Sequence, residues 1–211
     1  MVNSNPLDNA LSLLRQGLRA LELAEDSDKI QRVMLYVELL LQWNKAYNLT
    51  AADTAEEIIV RHVLDSLTVL PLIKGLCVLD VGSGAGFPGV ILAIFLPEVS
   101  IITLDSNNKK TRFLTQVKVA LKLSNLSVVH ERIEAFSREG IDMIISRAFS
   151  SLEDFVKNTR HLQQKDRTRW IAMKGKYPEE ELNVLPTDIQ REVHTVISPL
   201  DLAERHIIIL W

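Results

Sequence analysis

The sequence predicts an α/β protein: a mostly parallel seven-stranded sheet with helices on both faces, an antiparallel last strand and an N-terminal helical cap. Three observations predict it. Residues 1–75 carry apolar stripes at helical spacing. From Leu76 onward, short apolar runs alternate with helical stretches, the pattern of parallel strands joined by crossover helices. The last two runs are joined only by Ser198–Arg205. That link is too short for a helical crossover of about a dozen residues, so those strands pair antiparallel.

The elements follow in order. Asn5-Pro6 reads as a cap with proline at the first helical position. Leu7, Leu11, Leu14, Leu18 and Leu21 then form one stripe, which Glu25-Asp26-Ser27-Asp28 breaks. A second helix covers about Asp28–Lys45, with Ile30, Val33, Met34, Val37, Leu40 and Leu41 inward. Thr54-Ala55-Glu56-Glu57 is a capping box, opening a third helix from Glu56 to about Leu70, ahead of Pro71. Cys77–Val81 has no polar alternation, as expected of a strand buried on both faces. Helices are then expected over about Pro88–Leu96, Asn107–Leu123, Leu152–Leu162 and Pro178–Leu185, with a helical turn near Arg132–Arg138. Strands are expected at Ser100–Leu104, Leu126–His130, Asp142–Ser146, Arg169–Met173, Arg191–Ile197 and His206–Trp211. Residues 1–75 are read as the cap and 76–211 as the core of one structural unit.

Composition bounds the function. The 211 residues carry a net charge of −3, with 47% hydrophobic and 24% charged side chains, an ordinary globular balance. Cys77 is the single cysteine, which excludes an internal disulfide and a multi-cysteine metal site. The longest apolar run, Val90–Leu96, is far below the ~18 residues of a membrane span. No secretory signal pattern is visible, so a cytoplasmic setting is expected. Charge is uneven: residues 105–123 hold Lys109, Lys110, Arg112, Lys118 and Lys122 against Asp105 alone. Residues 157–176 hold seven basic side chains against Asp166 alone. Such windows permit contact with a polyanion, although charge alone favours solvated helix faces and loops.

The sharpest motif is Asp80-Val81-Gly82-Ser83-Gly84-Ala85-Gly86-Phe87-Pro88-Gly89, between an expected strand and an expected helix. Alternating glycines allow a tight turn and close ligand approach. The next helix is expected to offer free N–H groups to a pyrophosphate or carboxylate. The second strand ends in Asp105, 23 residues beyond Gly82, where a carboxylate can accept both ribose hydroxyls of a nucleoside. The segment also fits a dinucleotide pattern. Pro88, which removes a backbone donor, and the reversed terminal hairpin argue against that ligand.

Asp-x-Gly-x-Gly-x-Gly with an antiparallel final hairpin resembles the Rossmann-like class I methyltransferases that use S-adenosyl-L-methionine (SAM). The likeness extends further. Leu41–Thr50, Arg61-His62-Val63-Leu64-Asp65-Ser66, the glycine loop with its Phe-Pro-Gly ending, Asp105-Ser106, Arg132-Ile133-Glu134, Ser146-Arg147-Ala148-Phe149, Met173-Lys174-Gly175 and Glu204-Arg205-His206 resemble, in order, blocks of the RsmG (GidB) family. That resemblance covers about residues 30–211. It implies methyl transfer from SAM to guanine N7 in 16S ribosomal RNA. It also implies that Gly82 and Phe87 line the methionine and sulfonium end, that Gly84 and Gly86 shape the turn, and that Asp105 holds the ribose. Ile133 and Glu134 would flank the adenine, and Arg147 would sit near the cofactor's exit toward the substrate.

Guanine N7 has an in-plane lone pair and no proton to lose, so no general base is required and no catalytic side chain beyond positioning is assigned; Arg147 is the candidate. Ser146-Arg147-Ala148-Phe149 agrees, because it lacks the Asn/Asp-Pro-Pro-Tyr run of many amino methyltransferases. N7 is inaccessible in a regular A-form groove, so the target lies in a loop, a distorted segment or a flipped position. Trp43, Tyr47, Phe149 and Arg61 are the candidate planes for such a base, with Trp43 expected in the core of the cap. Arg61, His62, Lys174, Lys176 and Arg205 are the candidate RNA contacts, followed by Lys109, Lys110 and Arg112. The expected partner is 16S rRNA in a small ribosomal subunit or a partly assembled particle, met by a monomer with no membrane role. Rival readings are a small-molecule or protein methyltransferase, an NAD-dependent reductase, and a non-catalytic RNA-binding module.

Overall fold

The computed structural model describes residues 6–149, 151–164 and 167–211. Asn5, the expected first cap, and Lys165 and Asp166 of the second basic window lie outside them.

Helix α1 (Pro6–Ala20) and α2 (Ser27–Tyr47) pack in front of the sheet. Asp26 caps α2 by accepting from the amides of Asp28 and Lys29, and Asn48 closes it in the left-handed conformation. Burial on α2 falls on Ile30, Val33, Val37 and Leu40 as expected, and also on Tyr36 and Asn44. Thr54 caps the third helix, accepting from Glu57 N. Glu57 Oε2 in turn accepts from Asp53 N, one residue ahead of the cap. The expected single helix is in fact broken into α3 (Ala55–Ile58), a π-helical stretch (Ile59–Leu64) and α4 (Asp65–Leu67). Such widened turns are rare and concentrate at functional sites. Gly17 makes room for this stretch: a Cβ there would lie 2.3 Å from Leu64.

The sheet holds β1 (Cys77–Val81), β2 (Ser100–Asp105), β3 (Leu126–His130), β4 (Met143–Ser146), β5 (Arg169–Lys174), β6 (Arg191–Ile197) and β7 (Glu204–Leu210). Their order is β3-β2-β1-β4-β5-β7-β6. β7 pairs antiparallel with both β5 and β6, so it is the one reversed strand. α5 (Gly89–Phe95), α6 (Asn108–Ala120), α7 (Leu152–Thr159) and α8 (Glu179–Asn183) complete the frame. The expected helical turn near Arg132–Arg138 is a single turn, closed by Ala135 N and Phe136 N donating to Arg132 O.

Strand side chains alternate between two cores, as the period of two requires. Val78, Ile101, Ile145, Ile171 and Ile207 face α1, α2, α5 and α6. Leu79, Ile102, Ile144, Trp170 and Ile208 face α7 and α8. The first four strands run parallel, so β1, β2 and β4 deliver their carboxyl ends to one edge. That edge is where open α/β sheets bind ligands.

Candidate cofactor and substrate site

β1 leads into the glycine loop under α5. Gly82, Gly84 and Gly86 adopt φ of +69°, +60° and +108°, where an L side chain is strained. A Cβ on Gly86 would also lie 2.5 Å from Val90 and 2.8 Å from Leu114. The buried Tyr36 hydroxyl donates to Ala85 O at 2.6 Å and ties the loop to α2.

The loop's amides turn inward. Gly82 N and Ser83 N donate to Leu104 O, and Gly86 N and Phe87 N donate to Ser83 O. At the head of α5 the expected free N–H groups are not present: Pro88 has none, Gly89 N donates to Asp80 Oδ2 at 2.9 Å, and Val90 N donates to Gly86 O. A pyrophosphate therefore lacks the donors it needs there. Asp80 itself is fully buried, and burial pushes its carboxyl up to about 7. Its Oδ1 has no partner among the described residues.

Asp105 stands at the tip of β2. Its Oδ2 accepts from Gly84 N at 2.9 Å and its Oδ1 from Asn107 N at 2.8 Å. Lys110 Nζ lies 3.7 Å away. An ionised carboxylate has about four acceptor positions, so two remain for a vicinal diol. Asp105 lies in a cleft walled by Gly82, Leu104, Ile133, Ala148 and Phe149, with Glu134 at its edge. Apolar walls on one part of the cleft, with Ser106, Glu131 and Arg132 on the rest, suit a nucleoside: a flat purine against the apolar part and its ribose on the acid. Gly82, Asp105, Ile133 and Glu134, expected together, thus share one cleft, with Gly84 and Gly86 shaping the turn beneath it.

Phe87 and Arg147 form a second cluster beyond Gly82, whose missing Cβ leaves space for Ala148 2.8 Å away. His62 stacks on Phe87 with ring centroids 4.8 Å apart, and the Arg147 guanidinium lies 6.0 Å from the Phe87 ring. Arg147 Nη2 is 3.4 Å from His62 Nδ1. The other His62 ring nitrogen, Nε2, lies 3.0 Å from Thr50 Oγ1. Burial first, then the charges of Arg147 and Arg61, lower the His62 pKa to about 4. His62, expected as an RNA contact, therefore offers no positive charge at neutral pH and instead supports Arg147.

The acid between Arg147 and Arg205 is Asp65, to which the sequence alone gives no role. It is 4% exposed. Its Oδ1 accepts from Arg205 Nε at 2.8 Å, and its Oδ2 lies 3.3 Å from Arg147 Nη1. Arg147 Nη1 also reaches Ser66 Oγ at 3.4 Å. One acid among Val63, Leu64 and Leu67 was the available signal, since a charge on an apolar helix face is normally paired.

Arg147, Lys174, Lys176 and Arg205 line one depression with Asp65. Lys174 is held by Glu181 at 2.9 Å, and Lys176 is exposed. Arg61 lies outside this group, exposed and 3.8 Å from Glu57. Trp43 is packed on Phe113 of α6, in keeping with a place in the cap's core, and Tyr47 is exposed beside it. Phe149 lines the cleft and packs on Phe155.

A parallel sheet with β7 reversed between β5 and β6, a glycine loop after β1 and an acid at the tip of β2 define a class I SAM-dependent methyltransferase. Solved structures agree on the fold. An O-methyltransferase from Bacillus cereus superposes with a TM-score of 0.59 at 13% identity, covering 97% of this chain and 100% of that one. TrmN from Thermus thermophilus gives 0.57 at 17% identity, covering 72% and 52%. The chain belongs to the GidB family, described as rRNA small subunit methyltransferase G, which matches residues 29–208. A relative of that name from Pseudomonas aeruginosa is 54% identical over 200 residues, 93% of each chain. One from Pseudomonas syringae is 49% identical over 199 residues, 93% of this chain and 92% of that one. The protein is thus an enzyme whose methyl donor is SAM.

Proposed function

We propose that the enzyme methylates N7 of a guanine in 16S ribosomal RNA, within a small-subunit particle, by direct in-line transfer without a general base. The observation that carries the base-free reading is the state of His62. It lies beside Phe87, is neutral at pH 7, and has its ring nitrogens directed to Thr50 and Arg147. It is not poised to take a proton, and N7 has none to give.

SAM supplies a methyl group activated by its sulfonium. Asp105 holds the ribose, Ile133 and Phe149 enclose the adenine, and Glu134 meets its exocyclic amine. Gly82 and Phe87 line the methionine end. Holding N7 within ~3–3.5 Å of the methyl carbon is the main catalytic contribution, worth several kcal/mol as proximity. Arg147 positions the cofactor or an RNA phosphate. It does not touch N7, because the methylated ring becomes cationic.

Lys174, Lys176 and Arg205 take RNA phosphates beside Arg147, and Arg61 does so from the cap. With a net charge of −3, the chain favours a partly assembled particle over naked RNA. We take it to work as a cytoplasmic monomer, with residues 1–75 capping the core 76–211.

Label from methyl-labelled SAM, traced in small subunits from cells lacking the enzyme, tests this reading. Digestion should place the label in 7-methylguanosine. Label in another nucleoside would overturn N7, and no label in RNA would overturn the substrate.

A further inference from the structure

One basic window finds no place in the site above. α6 carries Lys109, Lys110, Arg112 and Lys118 and no acidic residue. Cations in a first turn oppose the helix dipole, so stability would favour acids there. Lys110 is accounted for by Asp105. Among the described residues, Lys109 and Arg112 have no carboxylate within ion-pair distance.

Their neighbours are aromatic and polar. Trp43 of α2, Asn108, Thr111, Arg112 and Gln116 of α6 and His130 of β3 line a groove. Tyr47 stands beside it, 38% exposed, with its ring centroid 5.3 Å from that of Trp43. Lys109 Nζ lies 5.9 Å from the Tyr47 ring centroid. An exposed ring, unpaired cations and a hydrogen-bonding floor are the parts of a single-stranded nucleic acid site: the ring stacks a base and the cations meet phosphates.

The groove adjoins the cofactor cleft. Ser106 and Glu131 line the cleft, and Asn108 and His130 line the groove. His130 Nε2 lies 3.1 Å from Ser106 O across the ridge between them.

We propose that this groove between α2, α6 and β3 is a second RNA-contact site, gripping an unpaired segment of the substrate RNA away from the methylated nucleotide. The proposal rests on the reading of rRNA as the substrate. RNA fits better than a protein partner because the groove's apolar lining is confined to Trp43, Val119 and Val128, between cations and amides. Tyr47 stacks a base, and Lys109 and Arg112 hold the flanking phosphates.

Steady-state methylation of unmodified small subunits tests it. Tyr47→Ala should raise the KM for subunits about tenfold, the loss of one stacked base. Its kcat, and the Kd for S-adenosylhomocysteine, should stay at wild-type values. Tyr47→Phe keeps the ring and should restore the KM. Lys109→Gln with Arg112→Gln should flatten the salt dependence of subunit binding by about 1.4–1.8 in log–log slope, two phosphate contacts. An unchanged KM and slope in variants that methylate would overturn the groove alone. Loss of S-adenosylhomocysteine binding in the same variants would also overturn it, showing that they act through the fold. A wild-type enzyme that fails to methylate subunits would overturn the rRNA reading and this inference with it.

Discussion

The two sides of the cleft are built differently. The ribose side comes from one βαβ stretch and the turn after it, residues 77–107, and its hydrogen bonds run through backbone amides: Gly84 and Asn107 to Asp105, Gly89 to Asp80. The Arg147 side joins side chains distant in the chain, with Arg147 81 residues from Ser66 and Arg205 140 from Asp65. A backbone-anchored half is set once the sheet forms. A half held by guanidiniums on one shared acid depends on the cap docking correctly. The ribose side is therefore preformed by the sheet, and on the proposed function the Arg147 side is the half that meets the substrate.

The largest effect should come from the preformed half. Asp105→Asn removes the charge that orders Gly84 and that, on the proposed function, holds the ribose. Two hydrogen bonds to a charged acceptor, each worth about 1.5–3 kcal/mol, set the scale. The Kd for S-adenosylhomocysteine should rise about 100-fold or more by titration calorimetry. A rise below tenfold would break the comparison.

Arg147→Ala acts on the other half. Turnover on subunits should fall about tenfold, the scale of one charge-assisted contact, while the KM for SAM rises less. Unchanged kinetics would remove Arg147 from the site. Tyr36→Phe then probes the link between cap and loop. Leaving buried Ala85 O without its donor should cost about 1–2 kcal/mol. In a chain of this size, that lowers Tm by roughly 2–8 °C in a thermal melt.

The smallest effect is the net pH dependence of the wild-type chain, where two shifted groups oppose each other. His62 is depressed to about 4 when folded. The unfolded chain therefore binds more protons between about 4 and 6.5, and this group makes stability rise with pH there. Asp80 is raised to about 7. The folded chain binds more protons between about 4 and 7, and this group makes stability fall with pH. The two slopes oppose, each at most about 1.4 kcal/mol per pH unit. Asp80→Asn should expose the His62 slope, with denaturant midpoints climbing from pH 4 to 6.5. His62→Gln should expose the reverse slope. Flat profiles in both variants would contradict these two environments.

The same contrast explains what could be read from the sequence. The order of strands and helices, the glycine loop and Asp105 were legible because their spacing is local and their backbone demands are strict. Gly86 is confined by its φ and by Val90 and Leu114, so its residue type reports its geometry. Asp65 carries no legible role in its sequence motif, since its partners lie on β7 and beyond β4. For His62 the sequence leaves a phosphate contact and a core or capping place equally open, because it shows a ring that can ionise and not the burial that keeps it neutral. The amides at α5 were expected free because nothing local shows Asp80 folding back onto Gly89. The broken third helix was missed because π-helical widening leaves the apolar stripe intact.

Asp65→Asn tests the separation of the two halves most directly. The Kd for S-adenosylhomocysteine and the turnover on small subunits should be measured on the same preparation. Loss of the shared charge should lower turnover at least about tenfold while the Kd stays within about threefold of wild type, because no ribose contact passes through Asp65. A Kd that weakens in step with turnover would show that the cap's side-chain network also builds the cofactor half, and would contradict the account.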